Sequence, residues 1–124
     1  MRKILISINP EYVDLILKKI KRFEYRKTVA KLDIKSIIVY STYPEMKVVA
    51  EVKIDGIIED TPEGLWERTH EHGGVGKTFF DAYFAGRRKA YAYKLGEVKV
   101  YAEPKTLKDF NIQHAPQSFV YINA

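Results

Sequence analysis

The chain has 124 residues, a mass of 14.4 kDa and a formal charge of +5, with 46% hydrophobic and 30% charged residues. These proportions suit one packed domain over residues 1–124 and exclude a disordered or collagen-like chain. With no cysteine, disulfide frameworks, thiolate metal sites, iron–sulfur clusters and cysteine nucleophiles are excluded together. Apolar runs are only a few residues long and the N-terminus lacks a signal-peptide core, so the expectation is a soluble, cytoplasmic protein with no membrane partner.

Ile4, Ile6 and Ile8 alternate with Lys3, Leu5 and Ser7, the period of a strand. Asn9-Pro10-Glu11 supplies a cap, a proline for the first helical position and an acid for the first turn. Val13, Ile16, Leu17 and Ile20 follow at helical spacing and predict a helix of about three turns. From Arg22 to Lys27 the period returns to two, with Phe23 and Tyr25 on one face and Arg22, Glu24 and Arg26 on the other. Ser36 to Thr42 and Met46 to Ile58 read as further strands separated by a turn at Tyr43-Pro44-Glu45, and Gly56 suggests a bulge. Thr61-Pro62-Glu63 opens a short helix that ends at Gly73-Gly74. A second short helix over Lys77 to Phe84 packs Phe79 or Phe80 with Tyr83 and Phe84. Arg88 to Leu95 and Val98 to Tyr101 predict a hairpin turning at Gly96-Glu97, and Phe119 to Ile122 a closing strand. Strands outnumber helices and helical crossovers are few, so the expected fold is α+β, a mainly antiparallel sheet curled into a small barrel with flanking helices.

Charge is segregated along the chain. Residues 1–35 carry ten Lys/Arg against four Asp/Glu, residues 36–72 three against eight, and residues 73–124 eight against four. The densest basic stretch, Lys18, Lys19, Lys21, Arg22, Arg26 and Lys27, suits a polyanion such as nucleic acid; the first three lysines equally suit the last turn of the preceding helix. Glu24 and Arg26, two apart on one strand face, form either a solvated surface ion pair or a site in which the acid aims the guanidinium at phosphate or a base edge. A nearby carboxylate favours the charged form of Lys21, an anion-binding rather than a nucleophilic lysine.

Other motifs are weaker. Gly-Lys-Thr at 76–78 lacks the glycine spacing of a phosphate loop, with Glu71 where the first glycine belongs. His70 and His72 diverge on a helix and His114 is remote, which leaves surface histidines as the better reading than a metal centre. No cofactor or metal is expected. Tyr25, Tyr40 and Tyr43 are candidates for base stacking.

Lys19-Ile20-Lys21-Arg22-Phe23-Glu24-Tyr25-Arg26 matches the signature G-x-K-x-x-E-x-R at three of its four positions, with lysine in place of the glycine. On these residues the chain resembles the ASCH family of the PUA-like superfamily, in particular proteins described as predicted transcriptional regulators with a PUA-like domain. The likeness extends to Ile6-Ser7-Ile8-Asn9-Pro10-Glu11-Tyr12, Tyr40-Ser41-Thr42-Tyr43-Pro44 and Ala115-Pro116-Gln117-Ser118-Phe119. It implies a PUA-like barrel whose cleft, lined by Lys21, Glu24 and Arg26, takes RNA or a nucleotide, with Ser41, Thr42, Gln117 and Ser118 as neighbouring candidates and Lys27 as a further basic contact. It also leaves an enzymatic alternative. Some small members resemble amidohydrolases acting on acetylated cytidine through a lysine, a threonine and a glutamate, with Glu24 here in the threonine's place, and ribonuclease activity is associated with others. A third reading makes the acidic segment 45–72 a protein-partner surface.

Overall fold

The structure, a computed structural model, describes residues 2–31 and 33–122. One six-stranded sheet runs through them. Its strands are β1 (Lys3–Ile8), β2 (Phe23–Arg26), β3 (Ser36–Ser41), β4 (Lys47–Asp60), β5 (Ala90–Lys105) and β6 (Phe119–Ile122), in the spatial order β2-β5-β4-β3-β1-β6. Only β1 and β3 pair in parallel; the other four pairings are antiparallel. The sheet curls into a half-barrel, which is the α+β architecture expected from the strand count. The helices are α1 (Pro10–Leu17), α2 (Pro62–Thr69) and α3 (Lys77–Tyr83). No helix among the described residues is long and apolar enough to cross a membrane.

The alternation in the strands sorts side chains into two layers. Ile4, Ile6, Ile8, Ile37, Val39 and Val52 form the main core with Val13 and Ile16 of α1. Leu5, Ile38, Tyr40 and Val48 point the other way into a second cluster, roofed by Leu107, Phe110, Ile112 and Val120. Because β1 and β3 are thus buried on both faces, their sequences read as nearly continuous apolar runs. The roof segment includes a single 3-10 turn, Leu107–Phe110, closed by a reciprocal cap between Thr106 and Asp109. A third cluster packs Leu65 of α2 and Phe80 and Phe84 around Tyr25.

Several expectations require correction. Helix α1 stops at Leu17, a turn earlier than the apolar spacing suggests, and Ile20 is exposed. Its end is a Schellman motif, in which Lys19 N–H donates to Ile16 O and Ile20 N–H to Leu15 O, with Lys19 in the left-handed region at φ 64°. The position where the signature carries glycine is therefore the one that requires a left-handed residue. Lys18 is the cap residue, and no lysine lies in the last turn, which answers the helix-dipole reading of the three lysines. Asn9 stands at the N-cap position, but its side chain makes no cap bond and instead accepts from Thr42 Oγ1 at 3.2 Å.

The predicted hairpin at Gly96-Glu97 is one continuous strand. Leu95 lies opposite Ile54 and Val98 opposite Val52, so β5 spends one residue more than β4 there and forms a bulge instead of a turn. Strand β4 is long enough to template both halves, a partner that the local turn residues do not reveal. The bulge expected near Gly56 is present.

Candidate functional site

The cleft lies at the open seam of the half-barrel. Strand β6 pairs with β1 only from Lys3 to Ile6, which leaves the end of β1, Ser7 and Ile8, uncovered on that side. The chain before β6 closes over it loosely, with Ser7 Oγ donating to Pro116 O at 2.8 Å. From the other end of the sheet Arg26 of β2 reaches across, its Nη2 donating to Ser7 O at 2.9 Å. The resulting cavity has a volume of about 400 Å³, within the range of small-molecule sites.

Its floor is a buried charge triad. Glu24 Oε2 accepts from Arg26 Nε at 3.0 Å and lies 2.8 Å from Nη2, a two-point contact that fixes the guanidinium plane. Glu24 Oε1 lies 3.7 Å from Lys21 Nζ, outside hydrogen-bond range, so it keeps its lone pairs for a donor in the cleft. Lys21 Nζ donates to Gly73 O at 2.5 Å and sits 5.0 Å from the Tyr25 ring centre and 5.6 Å from that of Tyr12. Lys21 is only 3% exposed and Glu24 7%. The reading of Glu24 and Arg26 as a surface ion pair on an exposed sheet face is therefore corrected. Helix α3 and the 70–76 segment cover what isolated strand alternation presents as a solvent face.

The protonation expectation for Lys21 is corrected too. Burial pushes its pKa below the ordinary lysine range and Arg26 adds to this, while the Glu24 carboxylate opposes both without cancelling them. Tyr25 secures the rear of the floor through a 2.7 Å hydrogen bond between its hydroxyl and Thr69 Oγ1. Two glycines let the 70–76 segment approach: a Cβ at Gly73 would overlap the Tyr25 hydroxyl, and one at Gly74 would come within 2.9 Å of the Lys21 stem. Arg22 N–H donates to His72 O at 2.7 Å and ties the same segment to β2.

One wall is aromatic. Phe79 and Tyr83 are nearly parallel, 6.1 Å between ring centres and 9° between planes, and Tyr12 lies 5.9 Å from Phe79. Phe79 is 49% exposed whereas its neighbour Phe80 is 1% exposed in the core, which resolves the choice that helical spacing left open. Of the residues proposed from sequence, Lys21, Glu24, Arg26, Thr42 and Gln117 line this cleft together. Ser41 is buried in β3, Ser118 lies next to Gln117 outside the lining, and Lys27 lies outside it too, 4.9 Å from the Tyr83 ring centre and lining a second groove.

Tyr12, Phe79 and Tyr83 were not singled out as site residues from sequence. A usable signal was there, since Phe79, Phe80, Tyr83 and Phe84 are more aromatics than one face of a two-turn helix can bury. Of the proposed stacking tyrosines, Tyr25 and Tyr40 are buried and Tyr43 is exposed outside the cleft. His70 stacks on Trp66, and among the described residues no cluster of His, Asp or Glu is arranged to hold a metal ion.

Part of the chain's acidity is consumed internally, as Glu51 pairs with Lys3 at 2.9 Å, Asp60 with Arg68 at 3.3 Å and Glu59 with Lys89 at 3.3 Å. This leaves the acidic middle a weaker partner surface than its sequence total suggests.

Comparison with known proteins places this geometry. The chain is 27% identical over 120 residues to a protein of Ureaplasma parvum named large ribosomal subunit protein uL22, and 26% identical over 121 residues to one named ATP synthase subunit alpha from the same species. Each match covers 96% of this chain but only 39% and 15% of those proteins, so the chain spans well under half the length of these curated relatives. Among solved structures it superposes on ASCH from Zymomonas mobilis with a TM-score of 0.88 at 24% identity, covering 98% of this chain and 87% of that one. The likeness to that structure shows a shared fold. Finally, the model for the ASCH domain matches residues 6–111, a span that holds the aromatic wall and the buried triad, and the chain belongs to the ASCH domain family.

Proposed function

We propose that this domain is an RNA-binding module that receives one unstacked nucleobase, plain or modified, in the seam cleft. The observation that carries this reading is the pairing of an exposed aromatic wall with a buried, pre-oriented charge triad in a single 400 Å³ cavity. Single-stranded RNA is read by splaying a base out, stacking it on an aromatic ring and hydrogen-bonding its edge. Phe79 offers the ring. Glu24 Oε1 accepts from an exocyclic amine, and the donors of Lys21 and Arg26 address base carbonyls. With Lys21 protonated the triad carries a net positive charge, and in that state the site favours an electron-rich base edge.

The test is fluorescence anisotropy with single-stranded RNA, structured RNA and duplex DNA at two salt concentrations, comparing wild type with Phe79→Ala and Lys21→Met. One lost base-stacking contact is worth about 1–3 kcal/mol, so Phe79→Ala is expected to weaken single-stranded RNA binding about 5- to 150-fold. Equal affinities in wild type and both variants would refute the assignment.

The lowered pKa of Lys21 favours one second reading, hydrolysis of an acylated base such as acetylated cytidine. There, neutral Lys21 takes a proton from the attacking water and returns it to the leaving amine as the acyl C–N bond breaks, releasing the carboxylic acid. Mass spectrometry of acetylated cytidine incubated with wild type and Lys21→Met decides it; turnover confined to the wild type supports hydrolysis, and none in either excludes it for this substrate.

A further inference from the structure

A second groove of about 470 Å³ is formed by the loop after β2 and the loop that joins α3 to β5. It is lined by Lys27, Lys31, Arg87, Arg88 and Lys89, with Glu59 as its one acid. All five cations are exposed. Glu59 is taken up by Lys89, and among the described residues no carboxylate lies within ion-pair distance of the other four. Such a concentration of unneutralised charge costs folding free energy through self-repulsion and is relieved by an anionic partner.

The two cavities meet where Lys27 of the groove stands beside Tyr83 of the seam cleft. Tyr83 belongs to the wall of the seam cleft, and Lys27 Nζ lies 4.9 Å from its ring centre. Its hydroxyl is held above the ordinary phenol range by burial; Arg26 and Glu24 act on it from the cleft and Arg87 from the groove. The Lys27 ammonium of the groove thus stands next to a ring that lines the base cleft. Tyr91, half-buried on the groove floor, offers a second aromatic surface.

We infer that this groove is the track for the sugar–phosphate backbone of the same RNA strand whose base occupies the seam cleft, with Lys27, Lys31, Arg87 and Arg88 each neutralising a phosphate. The inference rests on the base-binding reading above and deepens it by assigning the strand's path. Alternating stacking surfaces and cations along a concave groove are the usual means of holding a single strand. A flat anionic membrane does not enter a concavity of this kind.

The experiment measures anisotropy of a fluorescent ten-nucleotide cytidine-rich RNA between 50 and 200 mM salt. The proteins are wild type, Arg87→Ala/Arg88→Ala, Phe79→Ala, and a charge-matched control, Lys99→Ala/Lys108→Ala, remote from both cavities. A single strand loses a factor set by roughly 0.7 per phosphate contact in the logarithmic salt slope. Over this fourfold salt range four contacts give about a fifty-fold loss of affinity and two contacts about a seven-fold loss. The groove variant is therefore expected to bind more weakly at 50 mM with the shallower dependence, the control to match wild type, and Phe79→Ala to lose affinity with the wild-type slope.

If the groove variant keeps the wild-type slope while Phe79→Ala weakens binding, the track is refuted and the base cleft stands. If the groove variant flattens the slope and Phe79→Ala changes nothing, the cleft reading fails and the groove remains an RNA site without it. No binding by wild type overturns both. Groove-dependent binding to phosphatidylserine vesicles, or equal groove-dependent affinity for duplex RNA, likewise overturns a single-strand track.

Discussion

Lys21→Met separates the cost of the site from the stability of the fold. Methionine keeps the apolar stem between the Tyr12 and Tyr25 rings and deletes only the ammonium. Losing one member of a buried ion pair ordinarily costs about 3–5 kcal/mol because a charge is left uncompensated. Here Glu24 retains its two-point contact with Arg26, so no such charge is left. What is lost is the donor to Gly73 O, and an unsatisfied buried carbonyl costs about 1–3 kcal/mol. What is gained is relief from burying an ammonium, itself worth several kcal/mol. The lowered pKa of Lys21 indicates that burial outweighs the attraction of Glu24.

The two terms nearly cancel, and the variant is expected within about 1 kcal/mol of wild type, or about 4 °C in Tm, while losing RNA affinity. Urea unfolding from about pH 7 to about pH 9.5, below the tyrosine range, supplies a second readout. Between the depressed folded-state pKa of Lys21 and the ordinary lysine value near about 10.4, the unfolded chain binds more protons. Wild-type stability therefore rises with pH relative to Lys21→Met across that window. A loss of 3 kcal/mol or more at about pH 7, or a wild-type advantage that shrinks as pH rises, would refute the reasoning.

Other substitutions test the supports of the site. Lys19→Gly relieves a left-handed lysine at the Schellman position and is expected to stabilise the fold by about 0.5–1 kcal/mol, read as a higher urea midpoint at unchanged m. Gly73→Ala drives a methyl into the Tyr25 hydroxyl and its bond to Thr69, costing about 1–3 kcal/mol in thermal unfolding. Asn9→Ala is expected to cost less than the usual cap loss of about 1 kcal/mol, since its side chain makes no cap bond. Thr61→Ala, which removes the acceptor for Gly64 N–H in α2, is expected to cost that full amount in the same unfolding assay.

Local chemistry carried most elements. The β1 alternation, the Pro-initiated helices, the Gly56 bulge and the closing strand were all legible because each depends on side-chain period or turn residues within a few positions. The misreadings share one cause. Helix α1 ends early because the backbone turns left-handed at Lys19, and Gly96-Glu97 is a bulge because β4 continues alongside; neither a positive φ on lysine nor a long partner strand is written locally. The signature residues identified the floor of the cleft, but their environment was inverted, since burial belongs to whatever packs on a strand and not to the strand.

By itself, the sequence determined a cysteine-free α+β fold, the ASCH resemblance, and Lys21, Glu24 and Arg26 as one polar row. Tertiary structure decided that this row is buried at a seam, that Phe79 rather than Phe80 faces the cleft, and that Lys21 is desolvated enough to lower its pKa. It also gathered Lys27 and Lys31 from the basic first third with Arg87, Arg88 and Lys89 from the basic last third into one groove. The physical reason is the strand order. Pairing β2 with β5 across more than sixty intervening residues brings together charges and rings that sequence distance keeps apart.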